Sequence, residues 1–177
     1  MPVDILAHLK TLVAAPGLSA YEAPIRALIR ETWAPLTNEI GGDNLGSLWA
    51  TRHGAGKAPR KKIMLAAHMD AIGLMVKRVY QGFLWVTEIG GVDARVMPGQ
   101  PVLVHGKETL PGVVTSVPPH LLTPADRDKA VKLDDLLIDV GLPADRVAES
   151  VRVGDLVSFG QPAFEMNDWL VAKSLDN

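Results

Sequence analysis

The stretch Met64-Leu65-Ala66-Ala67-His68-Met69-Asp70 decides how this chain is read. An apolar run beginning at Ile63 ends after Ala67 in a histidine, with a carboxylate two residues further on. A short, nearly continuous apolar run is the pattern of a strand buried on both faces of an α/β sheet. In extended backbone, residues i and i+2 point to the same side. His68 and Asp70 are therefore expected to project together from the carboxyl end of a buried strand, where α/β sheets gather their functional residues. That pairing suits a metal-binding imidazole whose other ring nitrogen donates to a carboxylate. It suits equally a strand-end histidine beside a turn aspartate, because His-x-Asp is a short motif.

The bulk properties narrow the function classes. A chain of 177 residues allows one domain or two small ones, and 47% hydrophobic content is that of an ordinary globular protein. A formal net charge of -2 gives no basic face of the kind nucleic acid requires. The one basic cluster, Lys57-Ala58-Pro59-Arg60-Lys61-Lys62, sits in a Gly/Pro-rich loop and reads as solvated surface. With no cysteine, disulfides and thiolate metal sites are excluded, so any metal must use imidazole and carboxylate. No basic segment followed by a long apolar run opens the chain, and every apolar stretch is too short to span a bilayer. A cytoplasmic protein with no membrane partner is the expectation.

Working outward, Ile5, Leu6, Leu9, Leu12 and Val13 recur at helical spacing until Pro16-Gly17. Ser19 reads as the N-cap of a second helix, with Glu22 as its capping-box partner and Ile25, Leu28, Ile29 and Trp33 on one face. Strands are expected near Thr37–Ile40, Ser47–Thr51 and Lys62–Ala66, with Gly41-Gly42-Asp43-Asn44 turning between the first two. From Ile72 to about Phe164 the pattern changes. Short β-prone segments (Leu74–Val79, Phe83–Thr87, Pro101–His105, Gly112–Val117, Leu156–Phe159) alternate with Gly and Pro turns, and short helices are expected near Pro124–Ala130 and Pro143–Glu149. The α/β pattern resumes at Trp169-Leu170-Val171-Ala172. The expected architecture is thus α/β: an incomplete sheet domain of residues 1–71 and 165–177, interrupted by a β-rich domain of residues 72–164.

The segment Ala67-His68-Met69-Asp70-Ala71-Ile72-Gly73 resembles the first metal-site motif of the tetrahedral (TET) and glutamyl-deblocking aminopeptidases. Pro16-Gly17-Leu18-Ser19-Ala20-Tyr21-Glu22, Asp43-Asn44-Leu45-Gly46, Gly90-Gly91-Val92-Asp93, Pro98-Gly99-Gln100-Pro101-Val102 and Val153-Gly154-Asp155 continue the match in order. The final Ala172-Lys173-Ser174-Leu175-Asp176-Asn177 is similar to the family's second metal-site motif. The resemblance implies a dinuclear metallopeptidase that removes N-terminal residues from peptides, works with two divalent ions (zinc or cobalt), and assembles as a large homo-oligomer. It also implies that the β-rich insertion is a small barrel-like domain used for subunit pairing.

By the same resemblance His68 is a metal ligand, Asp176 the carboxylate bridging both ions, and Asp70 the catalytic-site residue that orients His68. Asn177 is a supporting residue, and Ala71 replaces an acidic residue common in the family. The family's general base and remaining ligands lie beyond its Asp-Asn motif, so the expectation is an N-terminal half that is inactive alone and has the missing C-terminal half as a partner. Two rival readings stand beside it. One is a non-catalytic oligomerisation fragment. The other is a glycoside hydrolase, because some relatives have carried a cellulase label, although glycosidases use two opposed carboxylates.

The remaining candidates are structural in expectation. His105 and His120 read as surface or interface residues of the β-rich domain, and Asp93, Asp139 and Asp155 as turn aspartates bonding nearby backbone. Ser174 lacks a nucleophile-elbow context, and Gly54-Ala55-Gly56-Lys57 lacks the full phosphate-loop pattern.

Overall fold

The structure, a computed structural model, describes residues 4–121, 123 and 129–176. The chain divides into two units, one of residues up to Ala71 together with those from Ala163 onward, the other Ile72–Pro162.

In the first unit, Asp4 caps helix α1 (Ile5–Ala14) by accepting from the Ala7 N–H, at 3.1 Å. Helix α2 (Ala23–Trp33) carries Pro24 in its first turn, where the missing N–H costs nothing. The apolar stripes are only partly used: Val13 and Ile25 are buried, whereas Ile5 and Leu6 are exposed. Strands β1 (Glu39–Gly42) and β2 (Leu48–Thr51) form an antiparallel hairpin around an Asp43 turn, whose carboxylate accepts from Leu45 and Ser47 N–H.

Three expectations fail in this unit. Ile63–Ala67 is not a buried strand: it has no strand partner, and Ile63, Met64 and Leu65 are 88%, 88% and 92% exposed. A strand exists by pairing its N–H and C=O groups with neighbours. Among the described residues none is offered, because the short strands on either side pair with each other. Trp169–Val171 (β10) likewise makes a two-stranded hairpin with Phe164–Met166 (β9) and does not extend an α/β sheet. Ser19 is not an N-cap either. Glu22 holds that position, with its side chain accepting from the Ala20 N–H, and the Ser19 hydroxyl is engaged elsewhere.

The second unit is a closed six-stranded antiparallel barrel in the order β3-β4-β7-β6-β5-β8. Its strands are β3 (Gly73–Tyr80), β4 (Phe83–Ile89), β5 (Pro101–His105), β6 (Thr109–Ser116), β7 (Leu136–Asp139) and β8 (Leu156–Phe159). Alternation places Leu74, Val76, Leu84, Val86, Val102, Val104, Val114, Leu136, Ile138 and Val157 inside, together with Val147 of helix α3 (Ala144–Ser150). Each such buried side chain contributes about 1.5–3 kcal/mol relative to exposure. Gln81 and Gly82, both at positive φ, make the tight β3–β4 turn whose twist matches the flanking strands. A register shift between Val76 and Arg78 leaves both Lys77 and Arg78 on the outside.

The five expected strands of this region and the helix near Pro143–Glu149 are present. Strand β7 was not expected, and the helix expected over Pro124–Ala130 falls largely outside the described residues. The turn aspartates behave as read, with Asp93, Asp139 and Asp155 accepting from the N–H groups of Arg95, Gly141 and Arg152. His105 is half-buried, with Nε2 placed 2.8 Å from the hydroxyl of buried Ser158.

Candidate metal centre

His68 and Asp70 follow the irregular Ile63–Ala67 segment and are anchored from the turn between α1 and α2. The Gly17 carbonyl accepts from the Ala71 N–H at 2.7 Å, and Leu18, almost wholly buried, bridges to Ala71 in parallel. Gly17 permits this approach. A Cβ there would lie 2.7 Å from Ile25 Cγ2 and 3.6 Å from the Met69 carbonyl oxygen.

Within this frame the His68 Nδ1 lies 2.8 Å from Asp70 Oδ1 and 3.1 Å from the Asp70 carbonyl oxygen. An ionised carboxylate and a carbonyl only accept, so the Nδ1 must carry the proton. In the neutral ring, Nε2 then keeps its lone pair for a ligand. The second Asp70 oxygen accepts from the Ser19 hydroxyl. These bonds hold the Asp70 carboxyl below the ordinary carboxylate range, the Ser19 hydroxyl most and His68 next. The hydrogen bond to Asp70 raises the His68 pKa, and the charges of Asp70 and Asp176 add to it against the opposing effect of desolvation.

Asp176 belongs to the same unit as His68, and its charge is the least of the influences on the imidazole. Its segment is tied to α1: Lys173, its ammonium pKa pushed down by burial, donates to the Ala15 carbonyl at 3.3 Å. Lys10 of the same helix pairs with Glu165 of β9. Asn177 lies outside the described residues. A shallow polar cleft bounded by Glu22, Arg26 and Asn44 is lined by none of the three candidates.

The donor chemistry suits a divalent ion, with one imidazole whose tautomer is fixed and one carboxylate nearby. The number of donors does not complete a site. Catalytic zinc normally takes three protein ligands, and among the described residues no group of three or more His, Cys, Asp or Glu is placed to hold a metal. Ser19 is the partner that sequence reasoning missed. Its Ser-x-x-Glu spacing points to a helix cap, and nothing local links it to a residue 51 positions away.

The chain matches the M42 glutamyl aminopeptidase family over residues 46–177, and it belongs to that family. It is 36% identical to the lysyl aminopeptidase of Pyrococcus furiosus, over 85% of this chain and 44% of that protein. Among solved structures it resembles a TET aminopeptidase from the marine sediment archaeon Thaumarchaeota archaeon SCGC AB-539-E09. The TM-score is 0.83 at 32% identity, covering 92% of this chain and 46% of the other. It also resembles the Pyrococcus horikoshii TET1 peptidase, described as able to assemble into a tetrahedron or a large octahedral shell, with a TM-score of 0.81 at 30% identity over 97% of this chain and 52% of that one. The chain spans about half the length of the curated relatives it matches. Among the described residues no helix is long and apolar enough to cross a membrane.

Proposed function

We propose that this sequence serves a metal-dependent aminopeptidase that removes N-terminal residues from peptides, with His68 as a ligand, Asp176 as the bridging carboxylate and Asp70 orienting His68. The observation that carries the reading is the His68–Asp70 pair, in an M42 family chain, with its tautomer set to leave Nε2 available. Bound zinc or cobalt supplies a nucleophile at neutral pH and a Lewis acid for the peptide carbonyl. The chain's own residues hold and orient the imidazole and bring Asp176 toward it. The described donors are too few for two ions, so the 177-residue chain alone is proposed to bind metal weakly and to lack turnover. The assembling relative supports a homo-oligomeric protein, with the barrel as its pairing unit.

The test uses aminoacyl chromogenic substrates with added zinc or cobalt. The 177-residue chain is expected to be inactive, and the same sequence within a polypeptide of the relatives' full length active. In that longer protein His68→Ala is expected to lower kcat/KM by at least a hundredfold with the circular dichroism spectrum unchanged. Turnover by the 177-residue chain that survives chelation would overturn the reading.

A further inference from the structure

Resting on the reading of His68 as a ligand, we propose that Ser19 is a positioning residue for His68, acting through Asp70. Asp70 has two carboxylate oxygens with different duties: Oδ1 faces His68 Nδ1 at 2.8 Å, and Oδ2 accepts from the Ser19 hydroxyl. A carboxylate turns readily about its terminal torsion. Half-exposed Asp70 would also exchange partners with water unless its second oxygen were held.

Three features show that the hydroxyl is committed to this contact. Ser19 sits at the start of a Ser-x-x-Glu pattern that normally spends its hydroxyl on the N3 backbone N–H, yet α2 begins at Ala23, past its reach, and has no side-chain cap. Glu22 has turned back to the Ala20 N–H, at 2.7 Å. The backbone just before Ser19 is pinned to the residue just after Asp70, by the Leu18–Ala71 bridge and the Gly17 carbonyl accepting from Ala71, which brings the hydroxyl to Asp70. The relay therefore runs from Ser19 to Asp70 to the His68 Nδ1–H. Its product is a ring orientation and a tautomer, with Nε2 as the free lone pair.

The experiment is long-range nitrogen NMR on the metal-free 177-residue chain at alkaline pH, where the ring is neutral. In the wild type and in Ser19→Thr, which keeps the hydroxyl, the His68 signals are expected to report the Nδ1–H tautomer. In Ser19→Ala the Nε2–H form favoured by free histidine is expected to appear, and apparent zinc affinity to fall by about tenfold, the low end for groups behind a ligand. Should Ser19→Ala fail to fold, Ser19→Cys, a weaker donor, is expected to shift the tautomer in the same direction. An Nε2–H tautomer in the wild type, or identical His68 signals in the wild type and the hydroxyl-less variant, would overturn the relay. A tautomer shift with no zinc binding even in a polypeptide of the relatives' full length would leave the relay standing and remove the metal reading instead.

Discussion

Single residues in this chain carry their roles through one or two bonds each, and two of them give sharp tests. Asp93 accepts from both the backbone and the guanidinium of Arg95, which holds its carboxyl down to about 2. The folded value is depressed, so the ionised carboxylate favours the fold above the unfolded pKa near 4, and that contribution is lost as pH falls through about 2. Carboxyl-carbon NMR should place the Asp93 midpoint there, and Arg95→Ala should return it toward the ordinary range. An unchanged midpoint in the variant would show that Arg95 is not the cause. Gly17 is tested by bulk. Its added methyl would meet the stiff, β-branched and buried Ile25 at 2.7 Å, so Gly17→Ala should destabilise the first unit by about 1–3 kcal/mol. A neutral substitution in urea unfolding would mean that Ile25 moves aside freely. At this scale the candidate pair was legible because His68 and Asp70 are two residues apart, within reach of a local rule. Ser19 was not legible, because its partner is fixed by a turn docking across the chain and its local pattern advertises a helix cap.

Elements depend on whether their neighbours lie in the same chain. The barrel strands were readable because they are short runs rich in β-prone residues, with Gly or Pro turns separating them. Only β7 escaped, a strand of four residues, Leu136–Asp139, that follows an acidic stretch with no Gly or Pro turn before it. Ile63–Ala67 has an equally strong strand pattern and forms no strand. Sequence pattern reports what a segment needs on its two faces, whereas the structure reports what the described residues supply. Leu84 and Leu65 make the contrast measurable. Leu84 is fully buried in the barrel, so Leu84→Ala should cost about 2–5 kcal/mol through lost transfer energy and a residual cavity. Leu65 is 92% exposed, so Leu65→Ala in the 177-residue chain should stay within about 0.5 kcal/mol. Denaturant midpoints of the two variants decide the matter, and a large cost at Leu65 would show that this segment is packed in solution.

For the whole molecule, the same contrast sets where the chain holds its amides. A closed barrel has no free edge, so every strand of the second unit has a neighbour on both sides, around a core of packed apolar side chains. The loops join this network: Val76 donates to the Asp155 carbonyl and accepts from Gly154, both at 2.8 Å. The first unit has two separate two-stranded sheets, a class marginally stable in water unless packed. Its segment Ile63–Ala67 has no ladder among the described residues. Opening free energies therefore approach the global value in the barrel and fall toward zero in that segment. Hydrogen exchange on the dilute 177-residue monomer should show strong protection at Val76, Leu84, Val104 and Val157, intermediate protection in α1 and α2, and little at 63–67 or in β10. Adding a molar excess of a polypeptide with the relatives' second half should raise protection at 63–67 if that half supplies the missing strand neighbours. Strong protection of 63–67 in the monomer alone would mean that the segment already pairs in solution with part of its own chain, leaving no strand neighbour for a second half to supply.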